Sequence, residues 1–141
     1  MVRQRCGPSG GHFYLDANNP EFQLSKYSLN SSNDAIYYTL QQIYTAKDDS
    51  ILYGMYNDQP PKHKGSLNHG HTKGVIASNE NQGYWLVHSV PKYPPHKNES
   101  YTWPKSATVY GQNFLYDTST HIYSRLSSNI LNVTAVTNDK R

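Results

Sequence analysis

A chain of 141 residues has room for one modest domain and not for two full cores. Apolar residues make up 35%, no stretch approaches the ~18 consecutive apolar residues of a membrane-spanning helix, and a net charge of +3 with 16% charged residues excludes long acidic tails or basic arms. Thirteen tyrosines supply amphipathic surface in place of aliphatic core, which predicts a folded, polar, Tyr-rich domain.

Met1 to Gly11 is Gly/Pro/Ser-rich and reads as an irregular lead-in, with no apolar run of the kind a signal peptide carries. Cys6 is the single cysteine, so it is either free or paired with another chain. His12 to Leu15 and Phe22 to Leu29 have extended character. From Ser32 to Ala46, residues Ala35, Ile36, Leu40, Ile43 and Tyr44 recur at helical spacing, with Ser32 or Asn33 as the N-cap and Asp34 in the first turn. Ser50 to Tyr56 alternates as a strand, and Asn57-Asp58-Gln59-Pro60-Pro61 ends it with turn residues.

A loop with Lys62, His63, Lys64 and His69 follows. Thr72 to Ala77 and Tyr84 to Val90 are β-prone runs joined by Ser78-Asn79-Glu80-Asn81-Gln82-Gly83, which predicts a hairpin in one sheet. Pro91, Pro94, Pro95 and Pro104 bound a loop, ahead of an extended stretch over Ala107 to Tyr116 and an apolar pattern from Ile122 to Val136. The polar tail Thr137 to Arg141 stops without a structural signal. Three glycosylation sequons, at Asn30, Asn98 and Asn132, point to a secretory route or arise by chance in a chain rich in Asn and Ser.

Chemistry concentrates in Gly70-His71-Thr72-Lys73-Gly74 at the mouth of the first hairpin strand. Residues i and i+2 of a strand share a face, so His71 and Lys73 converge on one ligand. An imidazole nucleophile beside a fixed ammonium suits a phosphodiester, and the flanking glycines let a substrate backbone come close. A His-x-Lys triplet taken alone is equally an exposed strand end. A metal reading of His63, His69 and His71 lacks a cysteine or carboxylate to complete the site. His88 on the second hairpin strand either supports His71 or is a buried, hydrogen-bonded histidine. Gly70 and Thr72 join His88 as candidates for supporting or substrate-binding roles. Tyr84, Trp85, Tyr93, Tyr101 and Trp103 flank Lys92, Lys97 and Lys105, a mixture used both for stacking nucleobases and for core packing. The seven histidines would carry the charge from +3 to +10 in mild acid, below their usual pKa of ~6.5, which favours polyanions in an acidic compartment.

The ordered set Tyr56-Asn57-Asp58-Gln59-Pro60-Pro61, Gly70-His71-Thr72-Lys73-Gly74-Val75, Gly83-Tyr84-Trp85-Leu86-Val87-His88-Ser89-Val90-Pro91, Tyr93-Pro94-Pro95, Tyr101-Thr102-Trp103-Pro104 and Tyr110-Gly111-Gln112 resembles the amino-terminal half of deoxyribonuclease II. The match is strongest from 52 to 115, and Cys6 with the residues to Gly10 resembles the start of the mature family sequence. The resemblance implies a phospholipase-D-like α/β fold, a mixed sheet flanked by helices, with the whole of 1–141 forming one half of the usual two-half arrangement. It implies that His71 and Lys73 are the first of two His-x-Lys pairs around a DNA groove. The implied reaction is metal-independent and cofactor-free hydrolysis of DNA at acidic pH through a phosphohistidine, leaving 3′-phosphates, in lysosomes or secretions.

The chain departs from the family pattern in three respects. The second half with the second pair is absent, so an active site needs a second copy of the chain or a separate subunit. The first family strand is missing between Gly11 and His12. Thr108 and Tyr116 stand where members carry cysteines around the Tyr-Gly-Gln motif, which leaves Cys6 without its expected partner. Two functions follow as expectations: a deoxyribonuclease, or a catalytically inactive truncated homologue that binds DNA or acts as a secreted interaction protein.

Overall fold

The structure is a computed structural model that describes residues 2–4, 10–47, 50–62 and 70–119, with backbone alone for 2–4 and 119. Cys6, His63, Lys64, His69, the apolar pattern from Ile122 to Val136, the tail and the Asn132 sequon lie outside the described residues.

Seven strands form one sheet: β1 (Val2–Gln4), β2 (His12–Tyr14), β3 (Gln23–Leu24), β4 (Leu52–Asn57), β5 (Lys73–Ser78), β6 (Gly83–His88) and β7 (Asn113–Ser119). Their order is β3-β2-β1-β7-β6-β5-β4. Every pairing among them is antiparallel, so the α/β content stands while the sheet is not the mixed one expected. The hairpin of β5 and β6 forms as its alternation dictates, with Val75 opposite Leu86 and Ala77 opposite Tyr84. All four are buried, so this face of the ladder is the core face.

One helix, α1 (Ala35–Thr45), is described, together with a short 3-10 helix at Lys105–Thr108. Ile36, Leu40 and Ile43 form its buried stripe and share a single cluster with Val75, Leu86, Val90, Tyr93 and Phe114. Tyr44 sits at the cluster's edge, its hydroxyl donating to the Pro95 carbonyl at 2.7 Å. The N-cap is Asp34, not Ser32 or Asn33: its carboxylate accepts the Ile36 N–H at 2.9 Å. His12, 3.3 Å from the other carboxylate oxygen, draws Asp34 into the core and so sets where the helix begins.

Three extended stretches differ from expectation. Val2–Gln4 lies in the stretch read as an irregular lead-in, yet it is a strand, because β2 and β7 on either side offer it a ladder that local composition does not reveal. Phe22 to Leu29 shortens to the two-residue β3, with Phe22 and Leu24 both exposed. The extended run from Ala107 moves to Asn113–Ser119, since Pro104 caps the 3-10 turn that takes up Ala107 and Thr108.

Candidate active site

β4 and β5 run antiparallel with Asn57 opposite Lys73, so the turn after β4 lands beside the lead into β5. Asp58 donates its N–H to the Thr72 carbonyl at 3.3 Å, and the Thr72 N–H closes onto the Gly70 carbonyl at 2.8 Å. The Asn57 side chain secures the turn from both sides, accepting the Gln59 N–H at 2.7 Å and donating to the Tyr93 carbonyl at 2.8 Å. The Asn57-Asp58-Gln59-Pro60 turn is thereby fixed against the loop that follows β6.

His71 and Lys73 both meet Asp58, although His71 lies in a bend ahead of β5 and not in the strand that their spacing assumed. Asp58 Oδ2 stands 2.8 Å from His71 Nδ1 and its Oδ1 stands 2.5 Å from Lys73 Nζ. Burial pushes the Asp58 carboxyl up, but the hydrogen bonds and charges of Lys73 and His71 outweigh it, holding the group below its ordinary value of 3.8. The carboxylate therefore stays ionised in mild acid. An ionised carboxylate can only accept, so Nδ1 of a neutral His71 carries the proton and Nε2 carries the lone pair. This is the arrangement a histidine nucleophile or base requires: one nitrogen anchored, the other free.

The two partners differ in access. His71 is 75% exposed, whereas the Lys73 side chain is 1% exposed and Asp58 6%. Lys73 sits on the core face at the end of β5, below the histidine, rather than beside it at the surface as expected of a phosphate clamp. Asp58 was legible in the sequence only as a turn residue; a carboxylate 13 residues before the histidine has no periodic relation to it, and only the β4–β5 register joins them.

The other sequence-derived candidates separate as follows. Gly70 and Thr72 are both exposed beside His71, and a Cβ at Gly70 would meet nothing within 4 Å. Gly74 serves the fold, not an approaching substrate: a Cβ there would overlap the Tyr56 hydroxyl and come within 2.8 Å of the Leu86 carbonyl. His88 is buried, with Nδ1 accepting the Val90 N–H at 3.2 Å and its ring against Tyr93 and Phe114. Burial, helped by the nearby Lys73 charge, lowers its pKa to about 3, so it stays neutral in mild acid and does not donate a proton there. Of its two readings, the buried, hydrogen-bonded histidine is the one the structure shows.

The aromatic residues near the lysines are mostly core. Tyr93 and Tyr84 are buried, and Trp103 and Tyr101 pack on Tyr93 with centroids 5.2 and 6.1 Å away. Trp85 alone of that set is exposed, on the opposite sheet face, where its indole N–H donates to Tyr56 Oη at 2.9 Å. The metal reading needed His63 and His69, which are outside the described residues; those described contain no group of three or more His, Cys, Asp or Glu side chains placed to hold an ion. No described helix is long and apolar enough to cross a membrane.

The family model for deoxyribonuclease II matches residues 4–136. Deoxyribonuclease-2-alpha of Mus musculus is 42% identical over 106 residues, which are 72% of this chain and 30% of that protein. Plancitoxin-1 of Acanthaster planci is 43% identical over 110 residues (74% and 30%), and cell death-related nuclease 6 of Caenorhabditis elegans is 37% identical over 103 residues (72% and 27%). The chain thus spans under a third of the length of the curated relatives it matches. Because the family match covers residues 4–136, a range that includes the Asp58 turn, His71, Lys73 and the hairpin that supports them, the chain belongs to the deoxyribonuclease II family.

Proposed function

We propose that this chain carries one of two histidine sites of an acid deoxyribonuclease, hydrolysing DNA phosphodiesters without a metal or other cofactor. The observation that carries the reading is the Asp58 carboxylate, which contacts His71 Nδ1 and Lys73 Nζ at once while the His71 side chain stays 75% exposed.

The chemistry follows from that geometry. Nε2 of His71 attacks phosphorus, an N–P bond forms, and the bond from phosphorus to the 5′-oxygen breaks. A protonated histidine supplies the proton that the leaving 5′-oxygen takes up. Water then attacks the phosphohistidine, the N–P bond breaks, and the product keeps a 3′-phosphate. Asp58 holds the ring and stabilises its charged form during attack. Lys73, buried beneath the carboxylate, offsets the Asp58 charge and keeps it ionised under the histidine.

On this reading the second histidine is supplied from outside the described residues, by another copy of the chain or by a second half. His88 cannot fill the role because it stays neutral in mild acid, and no other histidine hydrogen-bonds His71 among the described residues. Residues 1–141 are, on this reading, one phospholipase-D-like half acting in lysosomes or secretions, with Asn30 and Asn98 exposed at sequons. The burial of Lys73, which keeps its ammonium from the surface, favours one rival: an inactive homologue that binds DNA, or acts as a secreted interaction protein, without turning it over.

Plasmid DNA incubated with the chain at pH ~5 in EDTA, beside His71→Ala, decides between them, with the mass in solution read by light scattering. Cleavage lost in the variant and confined to a dimer supports a shared two-histidine site. Binding without product, from wild type and variant alike, supports the rival. Cleavage by a monomer would refute the two-copy mechanism.

A further inference from the structure

β6 is followed by Val90-Pro91-Lys92-Tyr93, a tight turn with proline at its second position and a positive φ of 58° at its third. That pattern belongs to a type II turn, whose third position asks for glycine or asparagine because a Cβ is strained there. Lys92 is the one non-glycine with positive φ among the described residues. A lysine in this place costs backbone energy, so its side chain must recover something that glycine would not.

It does not recover it inside the fold. The side chain is exposed and makes no ion pair, hydrogen bond or ring contact among the described residues. Three other lysines are engaged, Lys62 with Glu99, Lys73 with Asp58 and Lys97 over the Tyr53 ring at 5.5 Å, whereas Lys26, Lys47 and Lys105 share with Lys92 the lack of a side-chain partner among the described residues. The Lys92 backbone, by contrast, is firmly placed, because its N–H donates to the Gln59 carbonyl at 2.9 Å. Gln59 directly follows Asp58, and Asn57 ties the same loop through the Tyr93 carbonyl. A free ammonium is thus presented from a strained turn docked against the segment that orients His71.

We propose that Lys92 is a substrate-positioning residue that binds a DNA phosphate flanking the one attacked by His71. This rests on the nuclease reading above and adds a contact for the neighbouring backbone phosphate. Such a contact sets register along the strand and is independent of base identity.

The test measures binding of a double-stranded DNA oligonucleotide at pH ~5 in EDTA over a range of salt, in a His71→Ala background so that DNA is not consumed. Losing one phosphate contact is expected to flatten the plot of log K against log salt by about 0.9 in Lys92→Gly, and to weaken binding several-fold at low salt. Lys92→Arg should keep the slope. Lys26→Ala, an exposed lysine after β3 at the far side of the sheet, should leave it unchanged. Urea unfolding separates this from a structural role: glycine suits the positive φ, so Lys92→Gly should be at least as stable as its parent. A destabilised Lys92→Gly with an unchanged slope would overturn the proposal, as would an unchanged slope alone. If no variant binds DNA and wild type leaves plasmid intact, the nuclease reading falls with it; if wild type cleaves and only the slope fails to respond, Lys92 alone is wrongly assigned.

Discussion

His12 meets Asp34 at 3.3 Å with both side chains buried (3% and 1% exposed), whereas His71 meets Asp58 at 2.8 Å with the imidazole 75% exposed and the carboxylate 6%. The residue types are the same, but their surroundings give them opposite uses. Burial pushes His12 down and Asp34 up, each against the pull of its partner, so the enclosed pair is driven toward its neutral forms. What Asp34 contributes there is structural: it caps α1 and joins the helix to β2. Asp58 instead has an ammonium beneath it, which keeps it ionised, and a histidine above it with one nitrogen open to solvent. A histidine–aspartate pair becomes chemically useful when one ring nitrogen is anchored and the other is reachable.

The strongest way to break this comparison is His71→Ala. It should lower DNA cleavage by about 10³-fold or more while leaving the thermal midpoint unchanged, because so exposed a ring contributes little packing. Plasmid nicking and a melting curve on the same sample check both halves of that statement.

Asp58→Asn comes next and should act on both function and fold. It takes the counter-charge from a buried ammonium, a loss of about 3 kcal/mol by urea unfolding, and it lowers cleavage by ~10²-fold or more through loss of the ring's anchor. Stability unchanged at neutral pH would mean that Lys73 does not depend on this carboxylate. In the wild type, the depressed pKa of Asp58 places the loss of its contribution below pH ~3.8, where the unfolded carboxyl protonates, so the cluster stays intact at pH ~5.

A third histidine sharpens the contrast through pH. His88 is lowered to about 3, so between its ordinary 6.5 and that value the unfolded chain takes up a proton that the folded chain refuses. Its contribution to stability is complete at pH ~8 and is about 2 kcal/mol smaller at pH ~5. His88→Leu should flatten the pH dependence of the urea midpoint by that amount; an unchanged slope would show that the ring is not neutral in the fold. The smallest effect is expected for Asp34→Ala, which removes the helix cap for a cost of ~1–2 kcal/mol and leaves cleavage per folded molecule as it was. Loss of cleavage in this variant at full folding would erase the distinction between the two pairs.

Periodicity and chain direction made part of this molecule legible from its residues. The 3.6-residue spacing of Ile36, Leu40 and Ile43 marked α1, and alternation marked the β5–β6 hairpin. Each is a local property that survives without neighbours. Trp103, Tyr93 and Tyr101 were ambiguous for the opposite reason, since an aromatic ring looks the same in sequence whether it meets a nucleobase or another ring.

Only the tertiary structure made Asp58 the hub of the site, buried Lys73, neutralised His88 and placed Asp34 as a cap. Those outcomes depend on which segments lie side by side: β4 against β5, the turn after β4 against the loop after β6, β2 against the start of α1. Electrostatic roles follow distance and burial, and both are set by contacts between residues far apart in the chain, so no local pattern records them. The residues that could do the chemistry were written in the sequence; the charge each one carries, and the nitrogen it leaves open, came from the fold.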